Sequence, residues 1–181
     1  MRRKRLRFDR FMVTLFTCHA GEERIIPPGE LTRGITETDA ISDQLAVSNN
    51  YRPLNAITIF TKGSFEAFRG DDVPFPIKAG EGGYRSAYAE RLDNFRLRAV
   101  EDDSEYHCLL PLDRTARYWR RKPVDCEAGG AIVLEAGQFL YVASGVVKVG
   151  EQTITGPAMV ESSSLQTATA IERVIGVKIW I

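Results

Sequence analysis

Histidine is scarce in this chain, with two among 181 residues, and its three cysteines, Cys18, Cys108 and Cys126, stand far apart with no C-x-x-C pair. That spacing excludes a zinc knuckle and a disulfide framework, and a reduced setting is expected. No apolar run approaches the roughly 20 residues a helix needs to cross a bilayer. The phosphate-cradling motifs G-x-x-x-x-G-K-[ST] and G-x-G-x-x-G are missing, as is the nucleophile elbow G-x-S-x-G, so nucleotide binding and serine hydrolase chemistry have no support. Long stretches of Ala, Leu, Glu and Lys are also lacking. Fifteen glycines, eight prolines and many Val, Ile, Thr and Phe favour strands joined by turns. The length fits one respectable core, so a single compact domain is expected.

Formal net charge is zero, yet the charges are segregated. Arg2, Arg3, Lys4, Arg5, Arg7 and Arg10 crowd the start, and Arg114, Arg117, Arg120, Arg121 and Lys122 form a second cluster. The acidic run Glu101, Asp102, Asp103, Glu105 lies between them. Such segregation suits docking between copies of one protein or contact with polyanions; the plainer reading is solvated loops and a loose arm. The start MRRKRLRFDRFMVTLFTC imitates a secretion signal, but Asp9 and Arg10 interrupt the lead-in, the apolar run Phe11 to Thr17 is short, and no A-x-A-like site follows.

Residues 7–17 read as a strand. The stretch 21–51 is dominated by punctuation, with a short helix predicted from a cap at Thr38 or Asp39 to Asn49 and Asn50. NAITIFT at 55–61 and SFEAFR at 64–69 flank Lys62-Gly63 and predict a hairpin. GDDVPFPIKAGEGG is loop. Tyr84, Tyr88 and Leu92 suggest a second short helix over 84–93. Strands are then predicted at 95–100, 105–112 and 116–121, spaced as in a sandwich or barrel. No internal repeat is evident.

From Ala128 the text AGGAIVLEAGQFLYVASGVVKVGEQTITGPAMVESSS reads as a tight β-meander, turning at Gly145 and Gly150 and bending at Gly156-Pro157. This segment resembles the central motif of the cupin or RmlC-like jelly roll, over about residues 105–181. The resemblance implies a roll that holds a metal on two histidines, a glutamate separated from the turn glycine by six residues, and a last histidine. Counted back from Gly145, Gln138 takes the glutamate position. Ile132 and Leu134, or Ala131 and Val133, take the paired histidines, and Glu161 or Ser162 the last one. Aliphatic side chains offer no lone pair, so no metal and no cofactor are expected.

His107 is the candidate base for a metal-independent enzyme, such as a sugar epimerase-like protein, with Asp113 or Asp93 as partner; a hydrogen-bonded strand histidine is the plainer reading. His19 beside Cys18 is weighed only as a casual metal ligand. DRTARYWRRK sets Tyr118 and Trp119 among basic residues, which suits either single-stranded nucleic acid or an oligomer contact.

The fold class expected is therefore all-β: a cupin-like jelly roll, or double-stranded β-helix, over 53–181, with a basic arm and extension over 1–52 that add a strand, a hairpin and one or two short helices. The function expected is a non-enzymatic structural or binding module forming a homo-oligomer, in its most concrete form a virion or other large-assembly component. The binding residues are Arg2, Arg3, Lys4, Arg5, Arg7, Arg117, Tyr118, Trp119, Arg120 and Arg121. Partners are other copies, assembly proteins or nucleic acid, without membrane, in the cytoplasm or within an assembly. The competing readings are the His107 enzyme and a nucleic-acid-binding protein.

Overall fold

The computed structural model describes residues 1–26, 57–69, 73–80, 95–112 and 120–180. The chain divides into two compact units, Met1–Lys78 with Gly83–Thr115, and Ala79–Gly82 with Ala116–Ile181. The division expected near residue 53 instead runs through the first unit, because strands on either side of it pair with one another.

The second unit holds β9 (Arg120–Cys126), β10 (Ala131–Leu134), β11 (Phe139–Ser144), β12 (Val146–Val149), β13 (Gln152–Thr155), β14 (Ala158–Glu161), β15 (Gln166–Ala170) and β16 (Val174–Trp180). They form two antiparallel sheets, ordered β14-β11-β16-β9 and β10-β15-β12-β13. Apart from the β12–β13 hairpin, successive strands alternate between sheets, so the chain winds as a jelly roll. Alternation along each strand sends Leu134, Leu140, Val142, Val147, Val160 and Ala168 into one apolar cluster between the sheets.

The first unit holds β1 (Arg2–Arg7), β2 (Phe11–Cys18), β3 (Glu23–Ile26), β4 (Ile57–Lys62), β5 (Ser64–Arg69), β6 (Phe75–Lys78), β7 (Phe95–Ala99) and β8 (Ser104–Pro111). Its sheets run β1-β2-β8-β4 and β3-β7-β5-β6. The order β2-β8-β4 answers β9-β16-β11, and β3-β7-β5-β6 answers β10-β15-β12-β13; β1 is added outside β2. The chain is thus two rolls in tandem, a repeat carried by topology where residue identities show none. Aromatics fill the first interior: Tyr106 stacks on Phe16 with centroids 4.7 Å apart and meets Phe65 edge-on at 5.6 Å.

Several local expectations change for one reason. The segments around Gly63 do not form a hairpin: β4 pairs with β8, while β5 pairs with β6 and β7. Gly145 does the same between β11 and β12, which lie in different sheets, so the meander is real only for β12 with β13. Both glycines, at φ 73 and φ 93, turn the chain from one sheet to the other. The basic arm is no loose extension but the edge strand β1, paired with β2 from Arg2↔Thr17 to Arg7↔Met12. The apolar run that imitates a signal is β2, with Phe11 and Val13 fully buried. Of the strand placed at 116–121, residues 116–119 lie outside the described residues, and Arg120 and Arg121 open β9. Both predicted helices, over 38–49 and 84–93, lie outside the described residues, and the described residues contain strands only.

Candidate functional site

Two places in the rolls carry polar groups against an apolar interior. In the second roll, Gln138 enters β11 buried, and its amide oxygen accepts a hydrogen bond from the Glu135 backbone at 3.0 Å. The Ser162 N–H donates to the Gln138 carbonyl at 2.9 Å. Ile132 and Leu134 point inward with them, whereas Val133 is exposed. On β16 the alternation that buries Val174 also turns Lys178 inward, and its ammonium crosses to β10 to donate to the Val133 carbonyl at 3.0 Å.

In the first roll a pocket of about 130 Å³ opens between the sheets. Cys18 and Tyr106 line it from one sheet; Phe65, Leu97 and Ala99 line it from the other. Its polar groups are at Met1, Glu22 and Glu23. The Met1 ammonium donates to the Glu22 carboxylate, whose other oxygen accepts the His19 N–H at 2.9 Å. The ammonium above all, then the His19 N–H, holds the Glu22 carboxyl below the ordinary glutamate range. Glu23 pairs with Arg96 at 3.4 Å.

No protein-family model and no curated relative matches the chain. Solved structures do. HutD from Pseudomonas fluorescens SBW25 superposes with a TM-score of 0.57 at 8% identity, over 94% of this chain and 77% of that one. PA5104 from Pseudomonas aeruginosa PAO1, a conserved protein of unknown function, gives 0.54 at 12% identity, over 94% and 80%. YhaK from Escherichia coli gives 0.51 at 9%, over 98% and 92%. The chain has the cupin fold. At such identities the likeness is one of fold alone.

The metal that a cupin roll implies does not fit this chain's second roll. Its inward positions offer two aliphatic side chains, an amide already bonded to Glu135, and the Ser162 hydroxyl, which donates to the Ser164 carbonyl. Glu161 shares a register position with Phe139 and is exposed, so it leaves the interior to Ser162. Such donors cannot make a three- or four-ligand site. Among the described residues no group of three or more His, Cys, Asp or Glu side chains converges.

His107 is fully buried but faces away from the cupin interior. Its neighbours Tyr106 and Cys108 belong to the inner cluster, so alternation puts His107 and Glu105 on the opposite face of β8. His107 Nε2–H donates to Glu105 Oε1 at 2.9 Å, and the Thr61 hydroxyl donates to the same oxygen at 2.9 Å. The partner is thus Glu105; Asp93 and Asp113 lie outside the described residues. The His107 bond, opposed by burial and helped by Thr61, holds the Glu105 carboxyl below its ordinary 4.5. Because the folded value is the lower one, this stabilisation is present above the ordinary value and is lost as pH falls through the folded one. Glu105→Ala is expected to lose about 2 kcal/mol at neutral pH, since a buried ring is left without its acceptor. Urea unfolding should show that gap closing in acid, below the glutamate range.

The remaining predicted residues are dispersed. Arg2, Arg3, Lys4, Arg5 and Arg7 share β1, but register places Arg3, Arg5 and Arg7 on the face of Phe16, Thr14 and Met12 and puts Arg2 and Lys4 on the opposite one. A charged edge strand of this kind blocks further strand pairing. Arg120 and Arg121 open β9 in the other unit, while Arg117, Tyr118 and Trp119 lie outside the described residues. The acidic run is engaged within its own unit: Glu101 accepts from Ser64 at 2.7 Å, Asp102 from the Ala20 N–H at 2.9 Å, and Glu105 as above. His19 reaches Asp102 at 3.7 Å. Neither the pocket nor Lys178 was anticipated. The pocket had no local signal, because its walls come from strands far apart in sequence. Lys178 did have one, since VIGVKIW places it in phase with Val174.

Proposed function

We propose that the chain is a non-catalytic binding module that holds a small, largely apolar molecule in its first roll, with a hydrogen-bond donor of that molecule directed at Glu22 and Glu23. The pocket carries this reading. Its 130 Å³ is close to the roughly 150 Å³ of an apolar cavity that accepts benzene, and its walls are aromatic and aliphatic with carboxylates on one side, as ligand sites commonly are. Catalysis by His107 is less well supported, since that ring is turned away from the pocket and hydrogen-bonded on a closed face.

Calorimetric titration with benzylamine and with benzoate tests the proposal. Benzylamine is expected to bind and benzoate to be rejected by the carboxylates. Ala99→Leu, which adds three carbons at a pocket wall only 2% exposed, is expected to abolish benzylamine binding while the protein stays folded. Equal binding to the filled variant would sink the reading.

A further inference from the structure

We propose that the end of the second roll binds a small oxyanion, a carboxylate or phosphate group, between Lys178 and Lys122. Independently of the first-roll pocket, the inference starts from register. Lys178 on β16 stands directly opposite Lys122 on β9, and Trp180 opposite Arg120. The same alternation that turns Val124 and Val174 into the apolar cluster points both lysines to the inner face of the sheet. Leu140, fully buried in that cluster, is the neighbour of Lys178 on the other side. Like charges directly opposite on one face of an antiparallel pair are destabilising, and here one of them rests on an apolar floor.

Nothing among the described residues neutralises the pair. Among the described residues Lys178 donates its hydrogen bond to the Val133 carbonyl, an uncharged acceptor. Lys122 and Arg120 are exposed and have no ion pair among the described residues. Glu135 lies near this end, but its carboxylate accepts from the Gln138 amide at 3.4 Å; Glu161 points to the other face. An ammonium pinned by a carbonyl, a second ammonium facing it, a guanidinium one register step further and an indole beside it make a preformed set of donors for a compact anion. A metal cation would be repelled at the same place.

The test titrates the full chain with inorganic phosphate and, separately, with propionate, following backbone amide shifts at constant ionic strength kept with chloride. At least one of the two is expected to saturate with the largest shifts at Lys178, Trp180 and Lys122, and which one does so identifies the headgroup. Lys122→Gln, a change at an exposed position, is expected to weaken that binding about tenfold, the worth of one charge-assisted hydrogen bond. It should also raise the anion-free Tm by about 2 °C by removing the facing charge. The proposal is overturned if neither anion saturates at this end of the roll, if Lys122→Gln leaves the affinity unchanged, or if that variant melts lower without anion.

Discussion

Gly145→Ala is expected to destabilise the second roll by about 3 kcal/mol or more, enough to leave it largely unfolded at moderate urea where the parent is intact. Two effects add. The residue sits at φ 93, where an L side chain loses about 1–2 kcal/mol. A Cβ there would also overlap the carbonyl oxygen of Arg173 and stand 2.9 Å from its carbon and 3.0 Å from the Val174 Cα. These are backbone atoms at the head of β16, which cannot rotate aside, so the relief must come from moving a strand, at roughly 1–3 kcal/mol. Gly150→Ala is the control: its φ is 58 and nothing lies within 4 Å of a Cβ, so only the backbone preference of about 1 kcal/mol is lost. Equal losses in the two variants, measured by urea unfolding, would refute the close approach at Gly145.

Tyr106→Ala is expected to remove about 3–5 kcal/mol from the first roll, the range for deleting a buried aromatic. Tyr106 is 2% exposed and touches three other rings, stacking on Phe16, tilted against Phe60 at 6.0 Å and edge-on to Phe65. The ring thus joins β2, β4 and β8 of one sheet to β5 of the other, and no neighbour can fill the space without breaking a second contact. Tyr106→Phe keeps the ring and should retain most of the stability. A ligand held in the adjoining pocket would bind Tyr106→Phe nearly as well as the parent.

Much of the second roll was legible in residue order. The β-prone run from Phe139 and the glycine before Val146 marked β11, β12 and a turn between them, and counting back set Gln138 at a site position but left Ile132 with Leu134 and Ala131 with Val133 as alternatives, between which burial decides for Ile132 and Leu134. Alternation is a local property, however, and the choice of partner strand is not. A single glycine between two short strands reads as a hairpin whether the second strand folds back beside the first or crosses to the facing sheet, and at Gly63 and Gly145 it crosses. The first roll was obscured for a different reason. Its β2 reads as a strand, but it stands behind six residues of which five are cationic, a pattern that charge assigns to a loose arm. Only pairing with β8, far along the chain, makes it the core of a sheet. Convergence of Cys18, Glu22 and Tyr106 on one pocket depends on that same distant pairing.

The position of the last strand in each roll governs how the chain can acquire its structure. β8 lies between β2 and β4, and β16 between β11 and β9, so the final strand made is an inner strand of its sheet. Among the described strands β9 pairs with β16 alone. A nascent chain that has emerged as far as β15 therefore holds one edge strand with nothing to pair with and an inner cluster still open to water. Each roll must close in one late step across a long loop, which makes folding slow and cooperative. The first roll can complete that step while the second is still being synthesised, so the two halves mature in sequence.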